Sequence, residues 1–378
     1  RIFIEKIISE PRHIEIQILM DSQQNGVYLH ERECSIQRRN QKVIEEAPSI
    51  FLDQITRDKM GQQAIALAKA CDYQSAGTVE FLVDKDKNFY FLEMNTRLQV
   101  EHPVTEYITG IDLVEQMIKI AAKEPLNLVQ QDIPLKGWSF ESRVYAENPY
   151  ADFLPSIGNL QHYVEPYGEN VRCDSGIIQG SEISIHYDPL ICKLVTYGAD
   201  RNSALATMRQ ALDEYVIRGV NNNLPFLRAL CDHPRFIEGK ITTAFIEEEY
   251  PDGFNVFNIS TQPKEVVNHL ISAVMTMHQQ RQLIKQSLSN QTRYSYTDDD
   301  IDSDVYYVKI MSNTTTEGDE TFIYKCQLDH EKLMEVDDDS QYLTYTRVLE
   351  NSQNEPNELE FGETKLEASV QSSDIVLS

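Results

Sequence analysis

The sequence predicts an α+β protein, and three observations lead to this fold class. Residues 13–20 alternate polar and apolar side chains, as a half-buried β-strand does. Residues 77–83 and 88–95 are strand-like and flank the polar stretch 84–87, which is typical of a β-hairpin with a short loop. Residues 257–378 add a helical pattern followed by several strand-like runs.

Two helices are predicted within the first 136 residues. Asp53 is a candidate N-cap for a helix that runs to about Cys71. The apolar stripe of this helix is expected to consist of Ile55, Met60, Ala64, Leu67 and Ala68. A second, short amphipathic helix is predicted over residues 112–122.

The middle of the chain begins with strand-rich sequence over residues 138–198. A helix over residues 203–216 and a shorter helix after Asn223 are predicted to follow. Residues 251–254 contain proline and glycine and mark a break.

The last third of the chain differs in composition. Its periodicity predicts one long helix over residues 264–288 and antiparallel strands over residues 305–310, 322–328 and 342–348. Residues 257–378 carry 9 basic and 22 acidic side chains, a net charge of −13. Acidic runs of this kind usually form solvated loops.

Composition excludes several classes of function. The 378 residues suffice for two or three domains with sizeable cores. A formal net charge of −26 argues against non-specific binding to nucleic acid or to an anionic membrane, so neither is expected as a partner. The mean hydropathy of −0.42 is that of a water-soluble protein. The 6 cysteines are scattered without zinc-type spacing and indicate a reducing compartment.

Two glutamates of the predicted hairpin are the first functional candidates. We expect the two strands to pair so that Glu80 lies opposite Glu93, with their Cβ atoms about 5 Å apart. The neighbouring Leu82 and Phe91 are apolar, so we expect this face to be shielded from water. Asn95 points to the same side and offers a third oxygen, which suits Mg²⁺. The alternative is a surface hairpin whose glutamates splay into solvent.

Two polar runs, residues 31–42 and 95–103, lie on either side of this hairpin in the sequence. Such runs are normally solvated surfaces. Beside a metal held by carboxylates, however, their arginines and lysine indicate a site that handles anions.

The segments 11–17, 34–48 and 95–103 closely resemble the biotin carboxylase component of biotin-dependent carboxylases, which is an ATP-grasp enzyme. The resemblance continues more loosely to about Gly253. It implies that residues 1–136 are an incomplete ATP-grasp domain and that residues 137–256 are the C-terminal domain of a biotin carboxylase. Residues 257–378 resemble, mainly by position and pattern, the BT domain that links the propionyl-CoA branch of this family to a carboxyltransferase subunit.

The resemblance implies roles for the residues around the hairpin. Glu80, Glu93 and Asn95 fall on the ligands of Mg²⁺ (or Mn²⁺). Lys42 and Arg97 would bind bicarbonate, and the side chain of Gln99 and the backbone of Val100 would complete that pocket. Glu101 falls on the general base, which the nearby Arg97 would keep ionised. Arg143 matches the arginine that stabilises the biotin enolate.

The resemblance also implies an ATP site and a place for biotin. The adenine-reading hinge would be formed by Glu5, Lys6 and Ile8, and the ribose and phosphate contacts by His13 and Gln37. Asp188 aligns with a residue near the biotin site or a dimer contact, although an aspartate that caps a turn fits the sequence equally well.

Two departures from the family pattern bear on this interpretation. The sequence has no glycine-rich phosphate loop, and it has no biotin-attachment motif. We therefore expect a fragment that lacks the ATP lid upstream and the biotin carrier domain downstream, and that is inactive alone. Asn40 replaces a histidine that many relatives carry, which favours the propionyl-CoA branch.

Two alternatives remain open. The chain could come from a biotin carboxylase of another acyl-CoA or pyruvate enzyme, or it could be a non-catalytic ATP-grasp scaffold that docks a partner. The expected cofactors are ATP, Mg²⁺ and carrier-bound biotin. The expected partners are bicarbonate, the biotin carrier domain and a carboxyltransferase β subunit in a hetero-oligomer. By resemblance, the location would be the mitochondrial matrix, or the cytoplasm in a bacterium.

Overall fold

The computed structural model describes residues 2 and 6–255 and, in the later part of the chain, the backbone of four strands. The chain forms two compact units, residues 1–259 and residues 260–377. Within the described residues of these units, no helix has the length and apolar character needed to cross a membrane.

The first unit contains seven α-helices and fourteen strands in the part of the chain that is described. The helices are α1 Gln54–Ala70, α2 His102–Thr109, α3 Leu113–Ala121, α4 Arg201–Glu214, α5 Leu224–Asp232, α6 Pro234–Ile237 and α7 Phe245–Glu249. The strands are β1 Arg12–Met20, β2 Gly26–Arg38, β3 Gln41–Ala47, β4 Ser75–Val83, β5 Phe89–Asn95, β6 Trp138–Tyr145, β7 Glu147–Asn148, β8 Leu154–Pro155, β9 Gly158–Asn159, β10 His162–Val164, β11 Val171–Ser175, β12 Glu182–Ile183, β13 Leu190–Gly198 and β14 Val216–Arg218.

One eight-stranded antiparallel sheet organises this unit, with the strand order β11-β13-β6-β3-β2-β1-β4-β5. The strands from the first 136 residues and the strands that follow meet where β3 pairs with β6. Helix α1 packs on β1 and β2, whereas α2 packs on β2, β3, β6 and β13. This confirms the predicted α+β fold class.

The predicted hairpin is present as β4 and β5, and Glu80 is the cross-strand partner of Glu93. A bulge shifts the register next to this pair, so Phe91 lies opposite Phe81 rather than opposite Leu82. Strand β5 forms the edge of the sheet, and Phe91 and Glu93 are exposed. The expectation that this face is shielded from water was therefore wrong for the β5 side, because side chains on an edge strand have cross-strand neighbours on one side only.

Helix α1 confirms the predicted N-cap, since the Asp53 side chain accepts a hydrogen bond from the backbone N–H of Thr56. Met60, Ala64 and Ala68 are buried as expected. Ile55 is 68 % exposed, so its assignment to the apolar stripe was wrong. The predicted helices over residues 112–122 and 203–216 and after Asn223 correspond to α3, α4 and α5.

The polar run 31–42 is not a solvated surface. Most of it lies in β2, where Glu31, Arg32, Glu33 and Ser35 are at most 1 % exposed, with β1 on one side and β3 on the other. Helix α2 was also not predicted, because residues 95–103 were interpreted only as a polar segment. Charged residues are usually exposed, so a sequence pattern alone assigns such a segment to the surface. It cannot indicate that the charges lie on a covered face of a central strand.

A tight turn at Arg39 and Asn40 joins β2 to β3, and both residues have positive φ, 51° and 63°. A two-residue hairpin with both central residues in the left-handed region is a type I′ turn, for which asparagine is well suited. The turn therefore gives a local structural reason for an asparagine at position 40. This reason is independent of which branch of the family the chain resembles.

Apolar clusters hold the sheet to its helices. Met20, Tyr28, Met60 and Phe81 belong to the cluster under α1. A larger cluster joins β6 and β13 to α4 and α5 and includes Phe140 and Phe226.

The second unit contains a four-stranded antiparallel sheet in the order β15-β16-β17-β18. Its strands are β15 Val305–Thr314, β16 Gly318–Leu328, β17 Gln341–Val348 and β18 Ser369–Val370. The first three contain the three predicted strands. The predicted helix over residues 264–288 lies outside the described residues.

Candidate active site

Polar side chains from five neighbouring strands meet on one face of the large sheet. Arg32 on β2, Glu15 on β1, Glu80 on β4 and Glu93 on β5 form a continuous row of cross-strand partners. Because directly paired residues of antiparallel strands share a face, the sheet register alone aligns these four side chains. Lys42 on β3 reaches the same row from the side.

Lys42 is the centre of this cluster. Its Nζ atom lies 2.5 Å from Glu101 Oε1, 2.6 Å from Glu15 Oε2 and 3.3 Å from Glu80 Oε1. Burial opposes the charge of the ammonium group, but the surrounding negative charge outweighs this effect and raises the pKa of Lys42. Lys42 is therefore a fixed cation among three carboxylates.

Arg32 is fully buried and fixes the floor of the site. Its guanidinium donates to Glu15 Oε1 at 2.5 Å and to Gln99 Oε1 at 2.6 Å. The remaining donors reach Gln17, Thr78 and Thr105. The rigid guanidinium fork thus connects β1, β4, the segment before α2 and α2 itself.

The carboxylate of Glu80 has partners on both sides. Its Oε2 atom lies 2.7 Å from His13 Nε2, and its Oε1 atom accepts a hydrogen bond from Gln99 Nε2 at 2.7 Å. Gln37 contacts the other ring nitrogen of His13 at 2.6 Å. Burial raises the pKa of Glu80, but the hydrogen bond from His13 and the charge of Lys42 lower it to about 2.

Glu101 and Arg143 extend the cluster toward β6. Arg143 Nη2 lies 3.0 Å from Glu101 Oε2, and Arg143 Nε lies 2.6 Å from Glu45 Oε1. Glu101 therefore binds Lys42 with one oxygen and Arg143 with the other. These two cations, rather than Arg97, are its ion-pair partners.

Glu15 and Glu45 show how burial and charge compete in this site. Burial raises the pKa of Glu15, but Arg32 and Lys42 together lower it to about 2. For Glu45, burial prevails over the attraction of Arg143, and its pKa rises to about 7.

Glu80, Glu93 and Asn95 form a set of ligands suited to a hard divalent cation. Asn95 Nδ2 lies 3.0 Å from Glu80 Oε1 and 3.0 Å from Glu93 Oε1, so one oxygen of each carboxylate lies near a common point. Rotation of the amide by half a turn would present the Asn95 oxygen at this point. His13 and Glu15 also place potential ligand atoms within 4.8 Å of Glu80. The residues fit a magnesium or manganese ion.

Other predicted site residues lie away from the buried cluster. Arg97 is exposed, and its guanidinium donates to the carbonyl oxygen of Leu98. Asp188 is exposed and accepts a hydrogen bond from the backbone N–H of Leu190, as a turn-capping aspartate does. The carbonyl oxygen of Val100 accepts a hydrogen bond from Lys193 at 3.0 Å.

The predicted adenine hinge is described only in part. The ammonium of Lys6 lies 3.1 Å from the Tyr90 hydroxyl, at the edge strand β5. Ile8 is half-buried, and Glu5 lies outside the described residues.

Sequence reasoning did not assign roles to Glu15, Arg32, Glu45 or Glu141. The alternating polar side chains of residues 13, 15 and 17 were the available signal, but they were attributed to a half-buried strand. In the structure Glu15 and Gln17 are fully buried, because the polar face of β1 lies under the site instead of facing water.

Comparison with known proteins assigns this arrangement to a class. The profile of the family described as "Carbamoyl-phosphate synthase L chain, ATP binding domain" matches residues 1–129. The profile of the "Biotin carboxylase C-terminal domain" matches residues 141–248. The fold, the site and these matches place the chain in the biotin carboxylase family of ATP-grasp enzymes.

Within this family the chain is similar to propionyl-CoA carboxylase alpha chains. It is 57 % identical over 298 residues to that of Ruegeria pomeroyi, covering 74 % of this chain and 43 % of the relative. It is 52 % identical over 337 residues to the mitochondrial protein of Homo sapiens, covering 88 % and 46 %. The chain thus spans less than half the length of these relatives.

A solved structure agrees with this assignment. The biotin carboxylase domain of 2-oxoglutarate carboxylase from Hydrogenobacter thermophilus superposes with a TM-score of 0.65 at 44 % identity, covering 68 % of this chain and 56 % of that one. That structure is a complex with MgADP and bicarbonate.

Proposed function

We propose that this chain is part of an enzyme that carboxylates biotin, using ATP and bicarbonate to form carboxyphosphate. The observation that carries this proposal is the convergence of Lys42, Glu80, Glu101 and Arg143 on one face of the sheet, through contacts of 2.5–3.3 Å. These are four of the residue types that the reaction requires: a cation for bicarbonate, a metal ligand, a base and a cation for the enolate.

Glu101 is placed to act as the general base. It would take the proton from bicarbonate, so that the resulting carbonate oxygen attacks the γ-phosphorus of ATP and ADP leaves. Lys42 contacts Glu101 at 2.5 Å and would hold the bicarbonate anion beside it. The exposed Arg97 would close on the anion from the solvent side, with its planar two-point fork.

Arg143 is placed to act in the second half of the reaction. Its guanidinium, held by Glu45 and Glu101, would stabilise the negative charge that develops on the ureido oxygen of biotin as the ring nitrogen is deprotonated. The carboxyl group of carboxyphosphate would then be transferred to that nitrogen, as its bond to the phosphate oxygen breaks and inorganic phosphate leaves. Asp188, on an exposed loop, would lie near the bound biotin.

The nucleotide site is proposed from the remaining residues. Glu80, Glu93 and Asn95 would hold the metal ion, which neutralises phosphate charge when it is bound. His13 and Gln37 contact each other beside Glu80 and would bind the ribose and phosphates. Glu5, Lys6 and Ile8 would read adenine, and Gln99 and Val100 would line the bicarbonate pocket.

We further propose that the whole protein is a propionyl-CoA carboxylase alpha chain that converts propionyl-CoA to methylmalonyl-CoA together with a carboxyltransferase β subunit. Residues 1–136, 137–256 and 257–378 would be its ATP-grasp, C-terminal and subunit-contact domains. Relatives named as mitochondrial support a location in the mitochondrial matrix, whereas the relative from Ruegeria pomeroyi supports the alternative of a bacterial cytoplasm.

The first test is bicarbonate-dependent ATP cleavage by the full-length protein with free biotin. We expect cleavage that is lost in Glu101→Gln and retained in Glu115→Gln, a matched change of an exposed glutamate on α3. If the wild-type protein folds but shows no such cleavage, the chain is instead a scaffold. Reconstitution with the β subunit then tests the acyl substrate, by comparing propionyl-CoA with 3-methylcrotonyl-CoA, acetyl-CoA and pyruvate.

A further inference from the structure

Two buried glutamates, Glu45 and Glu141, lie behind the proposed site and have no role in the chemistry described above. They are direct cross-strand partners in the β3–β6 ladder, so their side chains share one face of the sheet. Both are fully buried, at 0 % exposure. Neither oxygen of Glu141 and only one oxygen of Glu45 has a hydrogen-bond partner among the described residues.

The surroundings exclude two full negative charges. Val195 is the partner of Glu141 on its other side, and it belongs to an apolar cluster with Ala47, Val104 and Ile108. Two adjacent carboxylates in an apolar setting cannot both ionise, because each loses its hydration and repels the other. One proton shared between them would satisfy two of the orphaned oxygens.

We propose that Glu141 holds a proton and donates it in a hydrogen bond to Glu45 Oε2, which makes Glu141 a positioning residue for Arg143. Glu45 then keeps its other oxygen, Oε1, on Arg143 Nε at 2.6 Å. The pair would fix the guanidinium that faces biotin. This inference rests on the proposed function only for the role of Arg143.

The charged neighbours agree with this division of roles. Glu45 lies beside the cation Arg143 and interacts electrostatically with Lys42 and Glu101. Glu141 is influenced by Lys193, Arg143 and Glu101, but makes no hydrogen bond to any of them within the described part of the chain. The helix packed on this face, α2, contributes Val104 and Ile108. Burial and the charge of Glu45 raise the pKa of Glu141 well above that of an ordinary glutamate.

Infrared spectroscopy of the full-length protein tests the proton directly, without any assay of activity. At neutral pH we expect a protonated-carboxyl C=O band that is absent from Glu141→Gln. Glu33→Gln is the matched control, because Glu33 is also fully buried with a raised pKa, and its loss should leave the Glu141 band in place. If Glu141→Gln removes no such band, the proposal is overturned whether or not the protein carboxylates biotin.

Kinetics test the consequence for Arg143. Glu141→Met removes the donor while keeping the size, and we expect about a tenfold fall in kcat for biotin carboxylation, with the KM for ATP unchanged. Glu141→Gln supplies an amide donor and should recover most of this loss. If the glutamine and methionine variants are equally slow, Glu141 does not act as a donor to Glu45. A wild-type protein with no activity would contradict the proposed function but would leave the spectroscopic result in force.

Discussion

Replacing Arg32 with methionine should cost more stability than any other single change in the site. The side chain is fully buried, and its guanidinium pairs with Glu15 at 2.5 Å. Removing one partner of a buried ion pair costs about 3–5 kcal/mol, because the other charge remains in the interior. The neutral acceptors on Gln17 and Gln99 also lose their donor, each at about 1 kcal/mol or more. Glu15 keeps its pair with Lys42 at 2.6 Å, so the ion-pair cost lies at the lower end of its range. We therefore expect a loss of about 5 kcal/mol.

The assay is urea unfolding followed by tryptophan emission. Trp138 is the single tryptophan in the sequence, and its indole N–H donates to Glu46 Oε2 at 2.7 Å, so its signal reports on the first unit. The matched control is Arg39→Met. The Arg39–Asp152 pair is 2.7 Å long, but its side chains are 68 % and 75 % exposed, and such pairs are worth about 0–1 kcal/mol.

The reasoning fails if Arg32→Met and Arg39→Met lower the free energy of unfolding by similar amounts. A third variant, Arg32→Lys, keeps the charge and loses the planar fork. Its stability should lie between those of the wild type and Arg32→Met, since the pair with Glu15 can survive while several hydrogen bonds cannot.

Further predictions concern activity, pH and packing. Arg97→Ala should abolish biotin carboxylation by the full-length protein without shifting the unfolding midpoint, because Arg97 is exposed; retained turnover would remove it from the site. The depressed pKa of Glu15, about 2 against 4.5, means that stability present above pH 4.5 is lost as the pH falls toward 2, by roughly 3 kcal/mol, and Glu15→Gln should flatten this acid limb in a series of unfolding curves. Gly61→Ala should destabilise by about 1–3 kcal/mol, because its Cβ atom would lie 2.5 Å from the ring of Tyr28, whereas Gly176→Ala meets nothing within 4 Å; equal calorimetric stabilities would contradict this account.

Much of the fold was predictable because local signals and tertiary structure agree. Asp53 caps α1 as its residue type suggests, and the polar loop 84–87 joins two paired strands. The bulge beside Glu80, which completes the register that brings it to Glu93, has no such local signal. Around these elements, hydrophobic periodicity and turn chemistry indicate the same structure as the packing does.

The buried charge network was not predictable from periodicity. Glu31, Arg32 and Glu33 are typical of a surface, and their ion pairs with strand β1 and helix α1 explain why β2 can lie inside the sheet. Partners such as Glu15 and Arg32 are 17 positions apart in sequence, and single-chain patterns carry no information about such pairing. The resemblance to a family suggested residues that would contact substrate, but not the buried residues that hold them in place.

The antiparallel ladder between β3 and β6 has a consequence for how this chain could be divided. Lys42 and Arg143 belong to segments matched by separate family profiles, yet continuous backbone hydrogen bonds run between their strands. Cutting the chain near residue 136 would leave each piece with a strand whose backbone N–H and C=O groups have lost their partners, which favours aggregation. The two segments that carry Lys42 and Arg143 are therefore expected to fold and to unfold as one unit.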